Sequence, residues 1–211
     1  MEDLMARTRR RPRYNPRIDA ATAVASRLVS LREAMTSGQI RFDQVPGACS
    51  AKRCLEIAAT GGHRCQLVIG TDAPAYSPAT HSAVVVEALV AAFSNAFPDV
   101  PAPAIVAHAD LNQMSWVVAV PDCDVALPPP AEPASEIVAR VHDAQARRPP
   151  MRQIHPDAQA LFEEAKRRIP LTADTAAAIP PVANSIAALA NSPVIRRIDI
   201  AEALCYFRHT R

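Results

Sequence analysis

The chain has 211 residues, a formal net charge of +2, 49% apolar but only 4% aromatic residues, and 5 Gly against 20 Pro. That length supports one ordinary core, or one core plus a small satellite, and it must be built from Ala, Val, Leu and Ile. The near-balanced charge implies no polyelectrolyte partner by itself, no apolar run is long enough for a membrane span, and the basic N-terminus lacks the apolar stretch of a secretory signal.

Residues 1–18 read as an Arg-rich arm, with Arg7, Arg9, Arg10, Arg11, Arg13 and Arg17 interrupted by Pro12 and Pro16. That composition cannot bury a core, so the arm is expected to be disordered when free. Clustered Arg neutralises phosphates and releases counterions, which makes the arm a candidate nucleic-acid contact. The plainer reading is a solvated tail, or a contact for an acidic partner. Asp19 suits the N-cap of a helix over 20–35 with Val24, Leu28, Leu31 and Met35 on one stripe, ended by Ser37-Gly38. A second helix is expected from Ala48 to Thr60, with Ala51, Leu55 and Ala58 on one face and Gly61-Gly62 as its stop. Cys65–Ile69 has the continuous apolar character of a strand buried in a parallel sheet. Ser77-Pro78 then opens a helix carrying Val84, Val85, Ala88, Leu89, Ala92 and Phe93, and Ala104–Ala107 and Trp116–Val120 read as two further short strands.

Five prolines between Pro121 and Pro133 mark an extended linker, placed at 122–134. It divides an α/β part from a helical part over 135–211. There Ser135 is expected to cap a helix carrying Ile137, Val138 and Val141, and Pro149-Pro150 ends that region. His155-Pro156 opens a helix with Leu161, Phe162 and Ala165 inward. The stretch from Ala173 to Ala190 is helical except for Pro180-Pro181, which predicts two helices or a sharp kink. Asp199 is expected to cap the last helix, Ile200–Arg208, with Ile200, Ala203 and Leu204 on its apolar face.

Little conventional chemistry stands out. The six His (63, 81, 108, 142, 155, 209) have no metal-ligand spacing. His63 is best explained as serving the turn into the first strand. His108 and Asp110 lie near a strand end where α/β sheets place ligands, although ordinary loop residues explain them more simply. His81 and Ser82 have no nucleophile elbow around them. Glu163, Glu164, Lys166, Arg167 and Arg168 fit the solvated face of a helix, and Trp116 fits core packing. The five Cys (49, 54, 65, 123, 205) include no CxxC pair and read as reduced, mostly buried residues of a cytoplasmic protein.

The run FDQVPGACSAKRCLEIAATGGH resembles the segment before the phosphate loop in the magnesium-chelatase-like AAA+ ATPases, above all the ComM-type branch. The matching positions are Phe42, Val45, Gly47, Ala51, Lys52, Arg53, Leu55, Glu56, Ile57, Ala58, Ala59, Gly61, Gly62 and His63. Leu111–Pro121 is similar to that family's arginine-bearing turn and the strand after it. Ile154 to the C-terminus is similar to its helical lid, most visibly in IAEALCYFR. The resemblance implies an α/β fold: a reduced AAA+-like three-layer module over 19–121 with a small parallel sheet of three strands, then a helical lid-like domain over 135–211. A sheet trimmed in this way offers edges that favour pairing or covering.

The departures from the family pattern decide the expected function. A Walker A loop needs glycines whose N–H groups wrap phosphates, a Lys reaching the terminal phosphates, and Ser/Thr for Mg²⁺. In register, only Gly70 and Ser77 remain. Ala73 and Ala75 replace glycines, Tyr76 replaces the Lys, and Asp72 adds negative charge. No apolar strand ends in an acidic pair, Gln113 stands at the trans-acting Arg position, and Asp174, Ala178, Pro181 and Asn184 stand across the lid Arg positions. Phosphoryl transfer depends on the positioning and charge that these groups supply. The resemblance therefore implies a chain with no enzymatic activity, cofactor or metal. Its expected role is a non-catalytic adaptor or modulator binding a protein partner, an active AAA+ relative being one candidate. The alternatives are a small nucleic-acid-binding accessory protein acting through the arm, and a weak nucleotide sensor.

Overall fold

A computed structural model describes residues 16–69, 79–106, 117–120, 132–147 and 150–207; for residues 16–21, 68–69, 79–82, 106 and 117–120 it describes the backbone alone. The first helix, α1 (Pro16–Thr36), takes in Pro16 and Arg17. Residues 16–18 therefore belong to a helix and not to the arm, and Asp19 lies in its first turn instead of capping it. Proline fits a first helical position because its φ is already helical and the N–H it lacks would be unpaired there. A short 3-10 turn (Phe42–Gln44) leads into α2 (Cys49–Gly61). Ala51, Cys54, Leu55, Ile57, Ala58 and Ala59 of α2 are buried almost all the way round, which makes α2 a central helix and not a surface one.

The double glycine ends α2 as expected. Gly62 takes φ +64°, and the His63 N–H returns to the Ala58 carbonyl at 3.0 Å, which closes the last turn as a left-handed C-terminal residue does. The chain then enters β1 (Gln66–Ile69), followed by α3 (Ala79–Ala96), β2 (Ala104–Val106) and β3 (Val117–Val120). The three strands form one parallel sheet in the order β2-β1-β3, with Leu67 in register with Ile105 and Val118. α2 packs on β3 and α3 on β1. The described residues are mostly helical around this small sheet, an α/β arrangement of the expected class.

The helical part departs from expectation at two helix starts. α4 (Ala134–Ala146) starts from Pro133, whose carbonyl accepts from the Glu136 N–H at 3.0 Å, so Ser135 lies inside the helix and is not its cap. α7 (Arg197–Cys205) starts from Arg196, and Asp199 is its third residue. The Asp199 carboxylate reaches back to the Arg196 N–H at 2.7 Å, the carboxylate half of a capping box. α5 (Pro156–Arg168) does open at His155-Pro156, and the His155 imidazole accepts from the Asp157 N–H at 3.3 Å.

α6 (Ala173–Leu189) runs as one helix through Pro180 and Pro181, which leaves the kink and not the break of the two alternatives. Two missing N–H donors leave the carbonyls of Ala176 and Ala177 without their usual partners four residues on, a local cost of several kcal/mol. Burial offsets it: Ile179 and every residue from Val182 to Leu189 are buried, where α6 packs against α2, α4 and α7. Replacing both prolines by alanine restores the donors. The Pro180→Ala/Pro181→Ala variant is expected to gain about 1–3 kcal/mol in urea titration, and a loss would mean that the packing requires a proline-set bend.

Buried side chains from α1 through Phe207 join in one hydrophobic cluster, with residues on both sides of the Pro-rich stretch contributing to it.

Candidate functional site

β1 is the central strand, and the next described element after Ile69 is α3 at Ala79. Residues 70–78 therefore join the C-terminal end of a central parallel strand to a helix, the place where open α/β sheets hold ligands. Gly70, Asp72, Ala73, Ala75, Tyr76 and Ser77 themselves lie outside the described residues, as do His108, Asp110, Gln113 and Trp116. So do Arg7, Arg9, Arg10, Arg11 and Arg13, while Arg17 is in α1 with its side chain not described. Asp174, Ala178, Pro181 and Asn184 all fall on α6.

What the structure brings together is the surroundings of α2. Glu56 is buried, yet it is a carboxylate, and such a group needs paired charge and hydrogen bonds to stay ionised. Arg140 of α4 supplies most of this: Nη2 donates to Glu56 Oε1 at 2.9 Å and Nε to Oε2 at 3.4 Å. Arg53, one turn back on α2, donates to Glu56 at 3.4 Å and spends its shorter bond, 2.8 Å, on Glu202 of α7. Arg140 also holds Glu132, just before α4, at 2.9 Å. Five alternating charges thus tie α2 to α4 and α7. The hydrogen bond from Arg140 holds the Glu132 carboxyl below its ordinary range. Arg140 is raised in turn, first by its bond to Glu132 and then by Glu56. Burial opposes the charge on Arg53, but Glu202 and Glu56 outweigh it and its pKa rises. Tyr206, whose hydroxyl reaches Glu202 at 3.3 Å, is pushed well up by burial and by that carboxylate.

A second contact joins the end of α2 to α6. His63 Nε2 lies 2.8 Å from Ser185 Oγ, and Ser185 Oγ donates to the Pro181 carbonyl at 3.3 Å. The Ser185 hydroxyl thus bridges the imidazole and a carbonyl of its own helix. Ser185 is also buried, so the pair is a structural tie. It explains why position 61 is glycine: a Cβ there would fall inside the His63 ring and 2.5 Å from Ser185 Oγ. Gly61→Ala is expected to displace His63 and cost about 1–3 kcal/mol, most of it the lost buried bond, as read by thermal denaturation. Gln145 of α4 adds a bond to the Ala59 carbonyl at 2.9 Å.

Arg152 is the third tie. It is only 9% exposed and pairs with no carboxylate among the described residues; its guanidinium donates to the carbonyl of Ser192 (2.9 Å), to Asn184 Oδ1 (3.2 Å) and to the Arg147 carbonyl (3.4 Å). Burial, with Arg147 nearby, lowers its pKa from the ordinary arginine value. Of the four Cys described, Cys54 and Cys65 are buried, but Cys49 and Cys205 are exposed, because they stand at the first turn of α2 and the last of α7. Burial and a bond to Cys65 push the Cys54 thiol well up. Among the described residues no group of three or more His, Cys, Asp or Glu could hold a metal, and no helix is long and apolar enough to cross a membrane.

A cleft of about 570 Å³ lies between α3 and α4. Its floor is the 3-10 turn, with Ile40 and Phe42 almost wholly buried. Phe97 meets Phe42 and Phe93 in tilted contacts at ring separations of 6.3 and 5.4 Å, and the His142 ring stands edge-on to Phe97. Neither this cleft nor the charge chain was anticipated from sequence; each arises from residues far apart in the chain. Comparison with protein-family models, curated proteins and solved structures finds no match.

Proposed function

We propose that the chain is a non-catalytic, AAA+-derived adaptor that binds a protein partner, an active AAA+ relative being the leading candidate. The observation that carries this is a central parallel strand followed along the chain by a helix, with Ala73, Ala75 and Tyr76 in the sequence between them where phosphate binding needs two glycines and a lysine. The positions that resemble the ATPase family support the same reading through what they bond. Lys52 holds the Val45 carbonyl at 2.6 Å, Arg53 holds Glu202, Glu56 holds Arg140, and His63 holds Ser185. The framework residues are spent on internal ties, while the phosphate ligands are gone.

The test is a tagged capture from the native host, with and without nuclease, together with a thermal melt in Mg-ATP. A partner that survives nuclease, and no shift of the melt across millimolar ATP, is the expected result. Associated proteins that vanish with nuclease would hand the function to the Arg-rich arm, and an ATP-dependent shift would restore nucleotide sensing.

A further inference from the structure

We infer that Arg147 and Arg152, at the C-terminal end of α4, form a binding site for a phosphate group. Arg152 is only 9% exposed, and its guanidinium is held in place by Ser192, Asn184 and Arg147, each through an uncharged oxygen. Buried charges are as a rule paired or bound to an ion, and no carboxylate among the described residues matches this one. Arg147 is exposed, and its side chain makes no hydrogen bond or ion pair among the described residues. Its guanidinium is a second positive charge beside the first. Burial and then that neighbouring charge lower the pKa of Arg152.

The balance of charge points to the ligand. Arg147 is the residue on which α4 ends, and its carbonyl accepts from Arg152. A helix C-terminus supplies about half a negative charge, so two guanidinium charges leave about 1.5 positive charges unmatched. Inorganic phosphate or a phosphate monoester carries about −1.5 to −2 near neutral pH, a closer match than the single charge of a carboxylate or a phosphodiester. The donors suit it as well. Arg152 Nη2 has two N–H groups and spends one bond, of 3.4 Å, on the Arg147 carbonyl, so its other N–H can meet a phosphate oxygen in the planar geometry that arginine offers. Pro150 and Met151 beside it in the chain are exposed, which leaves a way in from solvent.

The test is a thermal melt and a calorimetric titration of the full chain with inorganic phosphate, beside sodium chloride and sodium acetate at matched ionic strength and neutral pH. A saturable rise in Tm of about 3–5 °C, at phosphate tenfold above its dissociation constant, is the expected result. Arg147→Gln removes an exposed charge and keeps the carbonyl that Arg152 uses, so it should weaken phosphate binding about tenfold. Asn184→Asp puts a carboxylate on the Arg152 guanidinium and should abolish the saturable rise; circular dichroism checks each fold. O-phosphoserine titrated in parallel tells the source: tighter binding than inorganic phosphate makes the group an ester, and weaker binding makes it the free ion. No saturable rise beyond that in chloride, unchanged affinity in both variants, or acetate bound as tightly as phosphate would overturn the inference. The adaptor reading fails on different results. An ATP-dependent shift that disappears in Arg147→Gln belongs to this site, and one that persists there is nucleotide sensing elsewhere in the chain.

Discussion

Glu56→Ala is expected to lower stability by about 2–3 kcal/mol in urea titration at neutral pH, among the largest losses from any single side chain on α2. Removing one partner of a buried charge pair costs about 3–5 kcal/mol when the other charge is stranded. Here the stranding is partial. Arg53 and Arg140 are each about one third exposed (34% and 33%), and each keeps a second carboxylate, Glu202 and Glu132. Solvent and those partners absorb part of the loss. The bond lengths predict how it divides: Arg140 meets Glu56 through two bonds, the shorter 2.9 Å, and Arg53 through one of 3.4 Å. In double-mutant cycles the coupling of Glu56 to Arg140 should exceed that to Arg53 by about 0.5–1 kcal/mol. A Glu56→Ala loss below about 0.5 kcal/mol would mean that the chain of charges is no stronger than a surface pair.

That chain shows where sequence reading stops. The helix stop at Gly61-Gly62 and the three short strands were legible because each leaves a local mark, a double glycine or a run of apolar residues. Glu56 and Arg140 are 84 positions apart, and nothing at either position marks the other. The same limit explains α6. Pro180-Pro181 is a strong local signal against a helix, and the packing that overrides it comes from α2, α4 and α7, whose arrival no window around the prolines reveals. The starts of α4 and α7 were misplaced for a smaller reason: Ser135 and Asp199 are good caps by type, but the carbonyl of Pro133 and the backbone of Arg196 already hold those turns.

Asn184 carries the other large effect, and its three substitutions should separate in order. Its Oδ1 accepts both the Arg152 N–H at 3.1 Å and a guanidinium N–H at 3.2 Å. Asn184→Ala leaves a buried backbone donor and a buried cation short of an acceptor each, a loss of about 3 kcal/mol. Asn184→Asp supplies a carboxylate to the same two donors and makes the contact charge-assisted, so at pH 7 it should match or exceed wild type. A carboxyl beside a guanidinium has a depressed folded pKa, so that contribution is full above the unfolded value of about 3.9 and is lost as pH falls through the folded one. Asn184→Arg is the informative case, because arginine is what the resemblance to the ATPase lid leads one to expect there. Facing Arg152, which is 9% exposed and has no carboxylate partner among the described residues, a second guanidinium would meet a like charge in a dry site. The expected cost is above about 3 kcal/mol, and Arg152→Met should rescue part of it. If Asn184→Arg folds with wild-type stability, Arg152 is free to leave its pocket. The amide at 184 would then meet no structural demand of its own.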